Sequence, residues 1–398
     1  MIHVAEVSLI LLLVAVAIPA TLCCAYLGVA VLYSGRAGKP PPSTRSLRFD
    51  IVVPAHDEAA VIARCLASLR RLDWPHDKYR VIVVADNCSD RTARIARAAG
   101  VRVLERRDPD NRGKGYALQL AFQISRHEHW ANAVVVVDAD SEVSAGLIEA
   151  FASRMEQGAH AIQAHYGVLN PRASWRTCLM AIAQAAFHTV RSRARERLRL
   201  SCGIRGNGWC VTHALLAEVP YEAFSLAEDL EFGIQLGMAG VRVRYADEAS
   251  VLGEAVSSST SARRQRQRWE WGRSDLRRSH TLPLLAAGAR RPSRVCLDLA
   301  FDLLVPPLSV IALLVAALMT GAMLAFWMSP RFSPFLWLGL ACAGVVSLYV
   351  LRGWYLSGTG LPGLMDLARA PLFVVWKAVA MRGVRAVHGW TRTDRERS

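Results

Sequence analysis

Short apolar runs alternate with longer mixed segments between residues 48 and 143, and three of the runs end in acid. RFDIVVPAHDE (48–58), YRVIVVADNCSD (79–90), VRVLERR (101–107) and AVVVVDAD (133–140) read as strands. Where valine and isoleucine follow one another without a polar alternate, the strand is predicted to be buried on both faces. Between them AAVIARCLASLRRL, RTARIARAAG and KGYALQLAFQISRH read as helices, the second closed by Gly100. Strand, crossover helix, strand at this spacing predicts an α/β fold with a mostly parallel sheet and helices on both faces. In such sheets ligands bind beyond the carboxyl ends of the strands. The unusual polar residues fall there: His56, Asp57 and Glu58; Asp86 and Asn87; Asp138 and Asp140.

The run VVVVDADSEV (134–143) puts two carboxylates one residue apart at the end of an apolar strand. Like charges this close repel, and burying either unpaired is costly. A divalent cation such as Mg²⁺ or Mn²⁺, which takes hard oxygen ligands, would satisfy the pair. The plainer reading is a helix opening capped by Asp and Ser. Three strands finishing in carboxylates at one sheet edge favour a site over capping alone. The dinucleotide fingerprint is absent from the first strand–helix turn, where PAHDEA stands, and no P-loop is present. NRGKGYA (111–117) offers Lys114 to a phosphate, or is a flexible turn before a helix.

The chain ends change the picture. Apolar residues make up 53% of 398, and the mean hydropathy is +0.22. The excess lies in residues 7–33, which carry no charge, and in 295–328 and 335–351. Each run is long enough to cross a hydrocarbon core of roughly 30 Å. The first reads as an anchor, since it is long for a cleaved signal and no basic segment precedes it. Segment 371–384, broken by Lys377 and Arg382, suits a helix lying in the interface. Asp298 and Asp302 are expected near the membrane surface. The implied organisation is an anchor over 1–35, an α/β domain over 45–290, two spans within 295–352 and a basic tail over 353–398. Basic residues flanking the spans place the α/β domain and the tail in the cytoplasm. A net charge of +15 then fits attraction to anionic membrane lipids. The arginines of 191–199 are read as touching that lipid, with an acceptor-binding role as the alternative. No nucleic-acid motif is present. The nine cysteines are scattered without a CxxC pair, as in a reducing compartment without disulfides.

Taken in order, IVVPAHDEAAVI, VVADNCSDRT, NRGKGYAL, VVVVDADSEV, GNGWCVTHALL, FSLAEDLEFGIQL and RQRQRW resemble the family 2 glycosyltransferases. These enzymes have a GT-A nucleotide-sugar-binding domain, and the bacterial members include exopolysaccharide transferases. The matching segments span residues 51 to 269, and GWTRTDR (389–395) is similar to the tail of exopolysaccharide relatives. The resemblance implies a UDP-sugar donor, with Asp138 and Asp140 holding Mg²⁺ or Mn²⁺ against its diphosphate. It implies that the turn from Pro54 through His56 to Glu58 cradles the base and ribose, with Asp86 and Asn87 beside the uracil and Lys114 near the nucleotide. Asp229 would be the catalytic base and Glu228 its supporting neighbour, although a helix opening also favours acids for its dipole. Gln265, Arg268 and Trp269 match the family's Q-x-x-R-W, with Arg268 on the pyrophosphate and Trp269 against the acceptor. CGIRGNG (202–208) would shape the acceptor pocket or be a plain loop. The acceptor is expected to be lipid-linked or a saccharide, in cell-envelope or exopolysaccharide assembly alongside other assembly proteins. The alternatives are a processive polysaccharide synthase, a glycolipid synthase, or an inert nucleotide-sugar-binding scaffold.

Overall fold

The computed structural model describes residues 2–255, 259–291 and 293–371, and the side chains within them except those of 2–5 and 259–266. In chain order the strands are β1 (Phe49–Ala55), β2 (Tyr79–Asp86), β3 (Arg102–Arg106), β4 (Ala133–Val136), β5 (Ser141–Val143), β6 (Ala161–Val168), β7 (Trp209–Thr212) and β8 (Val243–Gly253). They form one sheet in the order β3-β2-β1-β4-β7-β6-β8-β5. The half built from β1 to β4 is parallel, as the sequence predicts. β7 enters antiparallel between β4 and β6, and β5 closes the far edge antiparallel to β8.

Alternation along the strands divides the core. Phe49, Ile51 and Val53 face α2 (Ile62–Leu69), α3 (Thr92–Ala98) and α5 (Leu147–Met155). Val52, Val84, Val134 and Val136 face α4 (Lys114–His127), α8 (His213–Glu218) and α9 (Glu228–Met238). Residues 133–137 are fully buried, as a valine run covered on both faces should be. The helix expected at 114–127 has those bounds. In α9 Ile234 is buried and Leu230 half-buried, whereas Met238, at the same helical spacing, is exposed.

Outside this sandwich, α1 (Ile2–Leu32), α12 (Leu308–Met328) and α13 (Ser333–Ser357) pack together. Three helices, over Glu6–Leu32, Leu308–Met328 and Pro330–Ser357, are long and apolar enough to cross a membrane. The expected continuous run over 295–328 is instead two helices. Pro306 and Pro307 separate α11 (Arg294–Leu304) from α12, because proline has no amide proton to donate and drives the preceding residue out of helical geometry. Between β6 and β7, α6 (Trp175–Gln184), a π-helical stretch (Ala185–Val190) and α7 (Arg191–Arg197) lie against α1 and α13. Arg352 donates to Ser34 Oγ (2.8 Å) and Ser34 O (3.0 Å), tying the domain-side ends of α13 and α1 together. The long α10 (Ser259–Arg290) packs on α9 and α11, and α14 (Gly360–Leu367) follows α13. The tail residues beyond 371, including Lys377 and Arg382, lie outside the described residues.

Two close approaches fix the functional edge. Gly115, in the first turn of α4, lies against the Ala223 carbonyl, and a Cβ there would collide with that oxygen. Gly272 of α10 sits over the N-cap of α9, where a Cβ would come within 2.8 Å of Ala227 Cβ. Replacing Gly115 by alanine should therefore lower stability by about 1–3 kcal/mol, since backbone cannot swing away as a side chain can. Gly146→Ala, with nothing within 4 Å of its added Cβ, should change thermal or denaturant midpoints little. Equal effects of the two substitutions would refute this packing account.

Candidate active site

The carboxyl ends of β1, β2 and β4 lie side by side, because these strands are adjacent and parallel. At the β1–β2 end, Asp57 (φ 53°) and Asn87 (φ 49°) both adopt the left-handed backbone. Asn and Asp tolerate that conformation best among residues with a side chain. Asn87 Oδ1 accepts from the Asp108 amide (2.9 Å), and its Nδ2 donates to Asp108 O (3.1 Å) and Asp86 Oδ1 (3.0 Å). Arg106, missed in the sequence reading, pairs with Asp86 Oδ1 at 2.8 Å and with Asp108 at 2.7 Å. His56 Nδ1 lies 2.7 Å from Asp86 O, and the Glu58 amide donates to Thr92 Oγ1 at 2.8 Å. Pro54 precedes this turn in β1. These residues form one polar rim, at the place where the sequence expects the nucleotide.

Asp57, Cys88 and Asp90 have ligand atoms within 4.8 Å of one another. The backbone already uses both carboxylates. Asp57 Oδ1 accepts from the amides of Ser89 (2.6 Å) and Asp90 (3.1 Å), and Asp90 accepts from Ala59 (3.0 Å) and Thr92 (2.8 Å). These bonds outweigh burial and hold the Asp57 carboxyl below the usual range. The trio reads as a clamp between the first two turns.

The second cluster gathers on Lys114, the first residue of α4. Its Nζ lies 2.6 Å from Asp138 Oδ1 and 3.8 Å from Glu228 Oε1, and donates to Gly206 O at 2.6 Å. Lys114 thus faces the acids. The Asp138 amide donates to Asn207 Oδ1 (3.0 Å), Asn207 Nδ2 to Ser141 Oγ (2.7 Å), and Ser141 Oγ to Asp140 Oδ1 (3.0 Å). Asn207 is fully buried and links the loop before β7 to both aspartates. Asp229 belongs to the same group, since a Cβ on Gly206 would lie 3.2 Å from its Oδ2.

Burial pushes Asp138, Glu228 and Asp229 up from the carboxylate range. Lys114 offsets part of the effect, and neighbouring acids add to the rise at Asp138 and Glu228. Glu228 reaches about 7. Burial works against the Lys114 charge, but Asp138 and Glu228 outweigh it and hold its proton more firmly. One ammonium thus serves three neighbouring carboxylates, Asp138, Glu228 and Asp229. The excess of hard oxygen donors fits a divalent cation at Asp138 and Asp140. The Arg268 charge lies near enough to lower the Glu228 pKa, one turn before Gly272. Trp269 is 42% exposed. The side chain of Gln265 lies outside the described residues.

The arginines of α7 correct another expectation. Arg191, Arg193 and Arg195 are buried rather than lipid-facing. Arg193 pairs with Asp247 (2.8 Å), Arg195 with Asp298 (2.9 Å), and Arg191 with Asp302 (3.1 Å). Asp302 is itself buried. Burial raises the cost of each charge, so each needs a carboxylate within reach.

Residues 47–272 match the family model described as Glycosyltransferase like family 2. The chain is 25% identical over 234 residues to the "Probable glycosyltransferase YdaM" of Bacillus subtilis, an overlap covering 56% of this chain and 55% of that one. It is 25% identical over 229 residues to the "Beta-monoglucosyldiacylglycerol synthase" of Trichormus variabilis, covering 56% and 48%. The chain thus spans about half the length of the curated relatives it matches. Among solved structures, the mannosyltransferase PcManGT from Pyrobaculum calidifontis, in complex with GDP-Man and Mn²⁺, superposes with a TM-score of 0.51 at 19% identity. That likeness covers 86% of this chain and 98% of that one, and the shared fold is the GT-A arrangement.

The Glu228 shift has a signed consequence. Its folded pKa, about 7, exceeds the ordinary 4.5, so the folded protein keeps a proton that the unfolded chain has released. This contribution is full below 4.5 and is lost as pH rises toward 7. With chelator present, Glu228→Gln should be more stable than wild type at pH 8 by about 3 kcal/mol. The gain should vanish on titration to pH 4.5 in denaturant-unfolding measurements. A pH-independent difference would contradict the burial of an ionisable carboxyl.

Proposed function

The chain belongs to the glycosyltransferase-like family 2, and from that premise we propose an inverting, metal-assisted transfer of a sugar from a UDP-sugar to a membrane-borne acceptor. The observation that carries this reading is the convergence of Asp138, Lys114, Glu228 and Asp229, all drawn to one sheet edge beside the nucleotide-side rim. A scaffold that only bound a nucleotide would have no use for a carboxyl with a raised pKa beside a second buried acid.

In this reading the rim of Pro54, His56, Glu58, Asp86 and Asn87 holds the base and ribose. Asp138 and Asp140 hold Mg²⁺ or Mn²⁺, which offsets the charge developing on the departing diphosphate. Support for a metal comes from the donor set itself and from the similar mannosyltransferase, which binds GDP-Man and Mn²⁺. Asp229 takes the proton of the acceptor hydroxyl as its oxygen bonds to the sugar's C1. The bond from C1 to the diphosphate breaks, and its electron pair leaves with UDP. One displacement inverts the anomeric centre, so an α-linked donor gives a β-linkage. Lys114 positions Asp138 and Glu228, while Gln265, Arg268 and Trp269 serve the pyrophosphate and the acceptor. The three apolar helices and the similarity to a glycolipid synthase support a multi-pass protein of the bacterial inner membrane with its catalytic domain cytoplasmic, acting in cell-envelope or exopolysaccharide assembly.

The test supplies membranes carrying the protein with radiolabelled UDP-sugars and Mg²⁺ or Mn²⁺, and partitions label between extractable lipid and polymer. Label should enter lipid. Asp229→Asn should lower turnover at least about a hundredfold while leaving UDP binding intact. Asp138→Asn should weaken metal-dependent UDP binding at least about tenfold. Full turnover by Asp229→Asn would exclude Asp229 as the base, and label in long polymer would make the enzyme a processive synthase.

A further inference from the structure

Beneath the acid cluster, toward the three apolar helices, the structure buries a concentration of positive charge that the acids among the described residues do not neutralise. Arg191 and Arg195 each approach Asp302 Oδ1 at 3.1 Å, Arg205 Nη1 approaches Oδ2 at 3.5 Å, and Arg273 Nη2 lies 4.0 Å from Oδ2. Asp298 adds one carboxylate, 2.9 Å from Arg195. Four guanidinium groups therefore share two carboxylates, and three of them also stack on the Phe187 ring at 4.7 to 5.4 Å. Burial, reinforced by the neighbouring arginines, lowers the pKa of Arg273 despite Asp302. Arg205 is 6% exposed. Its Nε and Nη2 have no hydrogen-bond partner among the described residues. Buried charged donors left open in this way call for an anion.

Position narrows the class of anion. Asp298 and Asp302 lie in α11, just before the first residue of α12. Arg191 Nε donates to Tyr349 OH (3.0 Å) and Arg195 Nη2 to Tyr26 OH (2.8 Å), both toward the domain-side ends of their helices. On its other side Arg205 adjoins Gly206, whose carbonyl binds Lys114, and its charge lowers the pKa of Asp229. The Arg205 amide is pinned by Gln163 Oε1 at 2.8 Å. An anion at Arg205 would therefore sit between the ends of the membrane helices and the proposed base. We propose that Arg205 and Arg273 bind a phosphate group carried by the lipid acceptor, so that the acceptor is an anionic phospholipid or polyprenyl-phosphate conjugate whose hydroxyl is presented to Asp229. This deepens the glycosyltransfer reading and rests on it.

The test measures equilibrium binding of labelled lipids to the full chain in neutral-detergent micelles. Two matched pairs are used: phosphatidylglycerol against diacylglycerol, and polyprenyl phosphate against polyprenol. UDP with Mn²⁺ is measured in parallel on the same preparation. The phosphate-bearing member of at least one pair should bind at least about tenfold more tightly, as expected for charge-assisted hydrogen bonds to a buried arginine. Arg205→Gln should abolish that preference and keep UDP binding, which also shows that the variant is folded. Arg205→Lys, which retains the charge but not the fork, should keep part of it. Arg291→Gln, at an exposed arginine, should leave the preference whole. No preference in either pair overturns the proposal, as does a preference that survives Arg205→Gln or disappears with Arg291→Gln. Loss of UDP binding in Arg205→Gln with lipid preference unchanged would assign the cluster to the donor diphosphate and overturn it as well. Transfer to diacylglycerol with no phosphate preference would leave the glycosyltransfer reading standing and remove only this inference.

Discussion

Everything at the functional edge depends on one buried ammonium. Four carboxylates, two from the turn after β4 and two from the first turn of α9, lie at this edge, and like charges in a dry site repel. Lys114 makes that approach tolerable by standing 2.6 Å from Asp138 and 3.8 Å from Glu228. Its place is set by backbone, since it opens α4 and its neighbour Gly115 lies directly against the Ala223 carbonyl. Tyr116 stacks on Phe224 with ring centroids 4.5 Å apart. The lysine cannot drift from the acids without parting α4 from the segment leading into α9. Lys114, with the Arg268 and Arg205 charges nearby, offsets only part of the burial cost, so Asp138, Glu228 and Asp229 stay above their usual range and the edge can accept a cation.

Below that edge the sign of the problem reverses. Asp302 is held well below the carboxylate range: burial opposes its charge, and Arg195, Arg205, Arg273 and Arg191 overcome that opposition. The carboxylate comes from α11 and the arginines from α7, the 202–208 loop and α10, so this hub joins the α/β domain to the helices that lead into the membrane. Part of the chain's +15 charge is thus internal, directed at its own acids rather than at lipid. Removing Asp302 would leave four buried cations with less compensation, a larger loss than a surface ion pair represents.

Legibility in the sequence follows the range of the interaction. The parallel strands, α4 and the three apolar segments are written in local periodicity, and the carboxylates at the strand ends mark the site because strand direction fixes which edge they share. The destination of a charged side chain is not local. The row Arg191, Arg193, Arg195 reads equally as lipid-touching or as buried and ion-paired, and only the arrival of Asp247, Asp298 and Asp302 from distant parts of the chain decides between them. The same holds for Asn207 and Gln163, whose value lies in bonds to Asp138, Ser141 and Arg205. For Asn207 the one available signal is its place in the glycine-rich CGIRGNG loop, whereas Gln163 sits in a strand with no such mark. Pro306 and Pro307 were visible, and their steric cost to a helix was enough to foresee the break before α12.

The two charged layers are neighbours, and Arg205 belongs to both. Its backbone continues into Gly206, which accepts from Lys114, while its guanidinium reaches toward Asp302. Asp229, the proposed base, therefore sits between an acid-rich layer that suits a cation and an arginine-rich layer that suits an anion. A reaction in which negative charge departs with UDP while a proton is drawn from an acceptor gains from that polarity. The field favours cation-bound diphosphate on one side and a fixed anion on the other, with the transferred sugar between them. Because the arginine layer is anchored to α1, α11 and α13, the geometry at the base is coupled to the packing of the apolar helices. The apolar helices thus belong to the construction of the site.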